Sequence, residues 1–336
     1  MTYARTTNPT RERFAIAMLL VACAFWGMSF NWNKEAQEFL AQRWTTTTGD
    51  SSHAQLGPAT FLAIRFPIAA LLWCIFFPKS RRGWTRGVVH GGIAGGVFLS
   101  VGMLLQHYGL SLTSESLSAF LTSLTILFTP MAAALILRQR IAPSLWLAVA
   151  VATLGVALMT IYRTEGRFEL GAMLGLLCAV VFSGHILVVD HFEKREDPWT
   201  FTLAQLIVAS IVFGGYALFR AGSALRFAPT VVAESFGSTL FVLLAAAAVV
   251  FATLVTFGLM FRYQPQTTPT RAALVYLTEP LFATAYAWLA ADRAIDSGAI
   301  VGAILIIAGN IVAEVFSRAN RRSDTPVAQA ATAFDR

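Results

Sequence analysis

Ten stretches of about twenty mostly apolar residues follow one another along the 336-residue chain, and they decide what it can become. They run at 14–33, 58–77, 87–108, 115–137, 143–162, 169–189, 199–219, 238–261, 270–290 and 298–317. A helix of about 20 apolar residues spans the hydrocarbon core of a bilayer. Within that core every backbone N–H and C=O must bond internally, so only helices and closed barrels cross it. The period-2 alternation of a barrel strand is absent. The sequence therefore predicts an all-α polytopic membrane protein with ten transmembrane helices. Composition agrees: 56% of residues are hydrophobic and 13% charged, against about 25% charged in soluble domains. A soluble chain of this kind would expose large apolar patches. That argues against a soluble enzyme, a disordered chain and a secreted disulfide scaffold.

The first stretch follows a basic segment and has no small-residue cleavage site, so it reads as an uncleaved span. Positive residues orient the rest. With the N-terminus inside, fifteen of the 25 Lys and Arg residues fall in inner segments and seven in outer ones. Residues 1–13 and 318–336 then form cytoplasmic tails, and a bacterial inner-membrane location is expected. The net charge of +7 is explained by this orientation, with no nucleic-acid partner. Cys23, Cys74 and Cys178 all sit inside apolar runs and read as small buried residues rather than disulfides or metal ligands.

The two halves of the chain echo one another. Thr60–Arg65 aligns with Thr200–Gln205, Phe25–Met28 with Phe182–His185, and Thr129-Pro130 with Glu279-Pro280. Five spans per half is an odd number, so the second half enters the membrane inverted. Inverted repeats supply the two near-equivalent states that alternating access needs. The expected units are residues 14–162 and 169–317.

These residues resemble the drug/metabolite transporter superfamily of EamA type. The resemblance is carried by Trp26-Gly27-Met28-Ser29-Phe30 with Lys34, Arg65-Phe66, Gly109 to Ser114, Thr129-Pro130, Thr270 to Leu274, Glu279-Pro280 and Gly309. The family's Gly-Glu-Arg-like turns correspond to Arg138-Gln139-Arg140 and Ala291-Asp292-Arg293, the first without its acid. The segment at about 35–57 reads as an outer loop longer than is usual in that family. The resemblance implies a ten-helix exporter of small metabolites, such as amino acids or related polar compounds.

Polar groups inside the spans are expensive and normally face a cavity or a partner. Glu279 stands before Pro280, which leaves the carbonyl near residue 276 without its helical donor. Glu279 is a candidate cavity residue and proton carrier, with Tyr276 one turn earlier; otherwise it pairs with Arg65 or Arg271. Arg65 either binds a substrate carboxylate or ties span 2 to a carbonyl or acid. His185 is a second proton-carrier or substrate candidate, or else a neutral histidine bonded across helices, and Gln205, in the place matching Arg65, is a cavity candidate. Trp26 and Asn31 are substrate candidates in span 1, while Trp32 reads as part of an interfacial belt. Gln106, His107 and Glu115 form an outer gate or meet water. Gly91, Gly92, Gly95 and Gly96 permit close helix contact, within the bundle or between subunits.

The sequence contains no HExxH, P-loop or dinucleotide-binding glycine motif, and no catalytic residue, cofactor or metal is expected. The partners expected are a small-molecule substrate, membrane lipid and a coupled proton, in a monomer or homodimer. The alternative is a polytopic intramembrane enzyme acting on lipid or peptide, which would need reactive groups converging at one depth.

Overall fold

A computed structural model describes residues 9–136, 170–193, 195–267 and 278–290 continuously, with scattered positions at 146–158, 272–276 and 300–311. All regular structure among the described residues is helical, and seven helices there are long and apolar enough to cross a membrane. Of the expected spans, 143–162, 270–290 and 298–317 are described only in part. The tail 318–336, Arg271 and the turns at 138–140 and 291–293 lie outside the described residues.

Helix α1 (Pro9–Thr48) is 40 residues long. At 1.5 Å per residue it measures about 60 Å, roughly twice the hydrocarbon thickness. The expected outer loop at 35–57 is therefore corrected. Helix continues to Thr48, followed by a short 3-10 helix (Ser51–Leu56). The cause is an apolar stripe at helical spacing. Trp32, Ala36, Leu40 and Trp44 are buried four residues apart, in one cluster with Leu56, Val231 and Phe241. Trp32 is corrected with them: it is 9% exposed, and its indole N–H donates to the Tyr286 hydroxyl at 3.1 Å.

Helices α2 (Gly57–Phe76) and α3 (Arg86–Leu112) complete the first three spans. Thr85 caps α3 by accepting from the Val88 N–H. The next span is broken at Leu124 into α4 (Glu115–Ser123) and α5 (Thr125–Ile136), with Ser114 as its cap. Helix α6 (Leu170–Glu193) leads to α7 (Pro198–Ala221), which begins at the Asp197 cap with Pro198 in its first turn. Side-chain oxygens satisfy the first-turn N–H groups at all three caps. Helix α7 ends at Gly222, whose φ of 50° suits a residue without a Cβ. A short helix α8 (Ala228–Phe236) then packs beneath the extension of α1.

The following span is α9 (Thr239–Val249), a π-helical turn (Val250–Val255) and α10 (Thr256–Tyr263). The last fully described helix is α11 (Glu279–Ala290), preceded by a turn at Thr278. The glycine face of α3 packs on α6 and α7. A Cβ at Gly91, Gly92, Gly95 or Gly96 would come under 3.0 Å from Phe192, Ala204, Gln205 or Val208 respectively. This contact lies within the bundle.

Candidate functional site

One face of α1 forms a seam against the interrupted span that ends in α11. Pro280 has no N–H, so the Tyr276 carbonyl lacks its helical donor. The Cys23 thiol occupies this place, 3.3 Å from the Val275 carbonyl and 3.8 Å from that of Tyr276. Cys23 is fully buried, as expected, and additionally acts as a weak donor. Thr278 Oγ donates to the same Val275 carbonyl at 2.6 Å. One turn along α1, Gly27 lets the helices touch: a Cβ there would lie 2.5 Å from the Glu279 carbonyl and 2.9 Å from the Ala283 nitrogen. One further turn along, Asn31 Nδ2 donates to the Ala283 carbonyl at 3.1 Å, and its Oδ1 has no hydrogen-bond partner.

Glu279 opens α11, which packs on α1 and α4. It lies within electrostatic reach of Cys23 in α1 and Cys178 in α6. Among the described residues no Lys, Arg or His stands within 4.0 Å of its carboxylate, so the alternative pair with Arg65 is not formed, and Arg271 lies outside the described residues. Trp26 borders this region. Its ring packs edge-on against Phe257 at 5.8 Å and tilts against Tyr276 at 6.4 Å. The Tyr276 hydroxyl donates to Gln264 at 2.8 Å.

His185 and Gln205, expected separately, are brought together. His185 Nε2 stands 2.7 Å from Gln205 Oε1, and since a carbonyl oxygen only accepts, that nitrogen carries the hydrogen. Gly95 of α3 leaves room for the glutamine, because a Cβ there would lie 2.7 Å from its Oε1. This pair joins α6 to α7 behind the glycine face of α3.

Arg65 sits on the opposite side of α1. It is 4% exposed, and its two Nη groups donate to Asn33 Oδ1 at 3.2 Å and Thr253 Oγ at 3.1 Å. The partners are a neutral amide and hydroxyl rather than the carbonyl or acid expected. Thr253 was not singled out by the sequence. It lies in the π-turn, a geometry that occurs often at functional sites, and its hydroxyl also donates to the Ala248 carbonyl five residues back. Its only sequence signal is that it breaks an apolar run together with Thr256, whose hydroxyl reaches the Ala22 carbonyl at 3.3 Å.

The three outer candidates do not meet water. His107 is fully buried, Glu115 is 1% exposed and Gln106 8%. Gln106 donates to Thr122 Oγ at 3.1 Å. Glu115 pairs with Lys34 at 3.7 Å, and the same ammonium donates to the Thr113 carbonyl at 2.6 Å. Removing one partner of a buried ion pair costs roughly 3–5 kcal/mol, so this contact fixes α1 to the start of α4.

An all-helical bundle with seven apolar spans among its described residues, and polar groups gathered where those spans meet, defines a multi-pass membrane protein. Comparison with known proteins narrows the class. Residues 13–161 and 169–314 each match the EamA-like transporter family, so the chain belongs to that family of membrane transporters. It is 24% identical over 257 residues to an uncharacterized transporter of Archaeoglobus fulgidus, covering 76% of this chain and 77% of the relative. A protein known from its crystal structure shares the fold with a TM-score of 0.52 at 18% identity, over 91% of this chain and 98% of the other.

Proposed function

We propose that the protein is a secondary transporter that exports small metabolites across the inner membrane by alternating access. The solutes are amino acids or related amphoteric compounds, with lipophilic cations as a further class. The observation that carries this reading is the Glu279 carboxyl at the break of an apolar span, where α11 packs on α1 and α4. Glu279 is half-buried within a span, and no Lys, Arg or His among the described residues stands within 4.0 Å of it; a carboxylate at such a depth costs several kcal/mol unless protonated or met by a cation or ligand. A transported cation or a proton supplies that partner.

The architecture proposed is ten helices in two inverted halves, 14–162 and 169–317. Two successive matches to one family, at 13–161 and 169–314, support a repeated design. The bias of positive residues supports cytoplasmic termini. Trp26, Asn31, Tyr276 and Glu279 line the cavity on one side of α1, with the His185–Gln205 pair behind them and Arg65 across α1. Glu279 and His185 carry the coupled proton. Gln106, His107 and Glu115, tied down among α1, α3 and α4, close the outer side.

The test is flux through purified protein in liposomes, with a panel of amino acids and organic cations. Flux of at least one solute above empty liposomes is expected. Flux of none, alongside turnover of a lipid or peptide, would replace this reading with that of an intramembrane enzyme.

A further inference from the structure

Buried polar groups in proteins nearly always find partners, and the cluster around Arg65 departs from that rule at several atoms. Asn33 and Asn31 are two residues apart on α1, about 200° around the helix. The cluster therefore lies on the far side of α1 from the Glu279 seam. Arg65 spends one N–H of each Nη on Asn33 and Thr253, while its Nε has no partner. No Asp or Glu among the described residues stands within 4.0 Å of it.

Gln37 lies one turn beyond Asn33 on the same face of α1. It is 1% exposed, and neither its amide nitrogen nor its oxygen has a partner. His107 of α3 is within electrostatic reach of Arg65, and its ring lies 6.1 Å from that of Phe61, one turn before Arg65 on α2. Its Nδ1 meets the Met103 carbonyl at 3.0 Å. A carbonyl only accepts, so Nδ1 carries the hydrogen and a neutral ring leaves Nε2 as a bare acceptor. That Nε2 also has no partner.

We infer that Arg65, Gln37 and His107 form a binding subsite for a carboxylate that carries a neighbouring hydroxyl or ammonium. Arg65 keeps its Nε–H and the second N–H of each Nη beyond the two bonds to Asn33 and Thr253, and paired guanidinium N–H groups match the two oxygens of a carboxylate. The Gln37 amide nitrogen adds a third donor. The bare His107 nitrogen takes a hydrogen from the hydroxyl or ammonium beside the carboxylate. The subsite takes its role as part of the substrate site from the transport reading, but ligand binding to it is measurable without flux.

The probes are lactate, propionate and lactamide, with inorganic phosphate as a fourth, at equal concentration and with ionic strength balanced by chloride. Thermal unfolding of the full-length protein is followed in a neutral detergent free of added lipid. Lactate raises the unfolding midpoint most, propionate raises it less, and lactamide and phosphate leave it unchanged. Arg65→Gln abolishes the lactate shift. Should that variant fail to fold, Gln37→Leu, which leaves the guanidinium and its two neutral partners in place, decides the matter by losing most of the shift. Equal shifts with lactate and lactamide overturn the proposal, as does a shift with phosphate alone. Propionate equal to lactate refutes the role given to His107, and a full lactate shift in Gln37→Leu refutes the subsite. A lactate shift in a protein that shows no flux would leave the site standing and remove the transport reading instead.

Discussion

Replacing Gly27 with valine wedges apart the two helices that frame Glu279. A Cβ at position 27 lies 2.5 Å from the Glu279 carbonyl oxygen, where ordinary contact begins at 3.4 Å, so one backbone must retreat by about 0.9 Å. The atoms in the way are largely backbone, which cannot swing aside as a side chain would. Overpacking of this kind costs roughly 1–3 kcal/mol. Glycine and valine differ in helix propensity by only about 0.3 kcal/mol, so propensity does not mask the clash. One to two kcal/mol lowers the folded-to-unfolded ratio about fivefold to thirtyfold. The same displacement shifts Glu279 against α1, so solute flux falls as well. Gly215→Val is the control, because nothing lies within 4 Å of a Cβ there. Intrinsic fluorescence through a thermal ramp reads stability, and flux in liposomes reads function. A Gly27→Val protein that unfolds no earlier than Gly215→Val, with unchanged flux, would refute the close approach of α1 to α11.

Lys34→Met removes the ammonium 3.7 Å from the buried Glu115 carboxylate and destabilises by up to roughly 3–5 kcal/mol. The double variant Lys34→Met with Glu115→Gln recovers most of this, as a thermal double-mutant cycle would read; equal loss in single and double variants would contradict the pairing. Tyr286→Phe removes the acceptor of the Trp32 indole and costs about 1–3 kcal/mol, visible as a lower unfolding midpoint. Thr253→Val takes a partner from Arg65 and a bond from the π-turn, at a similar cost of about 1–3 kcal/mol, while Thr129→Val at a hydroxyl bonded only to its own helix costs less.

The membrane class and the start of most described spans were legible because hydropathy over about 20 residues reports burial in lipid directly. Pro280 announced its own consequence, since a missing N–H must free a carbonyl four residues back. The glycine face of α3 was legible as a contact, but only packing assigned it to α6 and α7. Other features depended on distance in space. Hydropathy ends at the membrane surface, whereas α1 continues to Thr48 because Ala36, Leu40 and Trp44 bury against a second layer of helix. Trp32 resembled a belt residue until Tyr286, 254 positions away, supplied its acceptor. The pairing of His185 with Gln205 and the choice of Thr253 by Arg65 depend on which helices become neighbours. The π-turn has no residue signature, so its polar role at Thr253 was hidden within an apolar run.

Flux measured with an imposed pH gradient in wild type and Glu279→Gln tests the central claim most directly. Gradient-dependent flux is expected in the wild type, and in Glu279→Gln a reduced rate that no longer follows the gradient. An unchanged rate and pH profile in the variant would contradict the claim and remove Glu279 as the proton carrier.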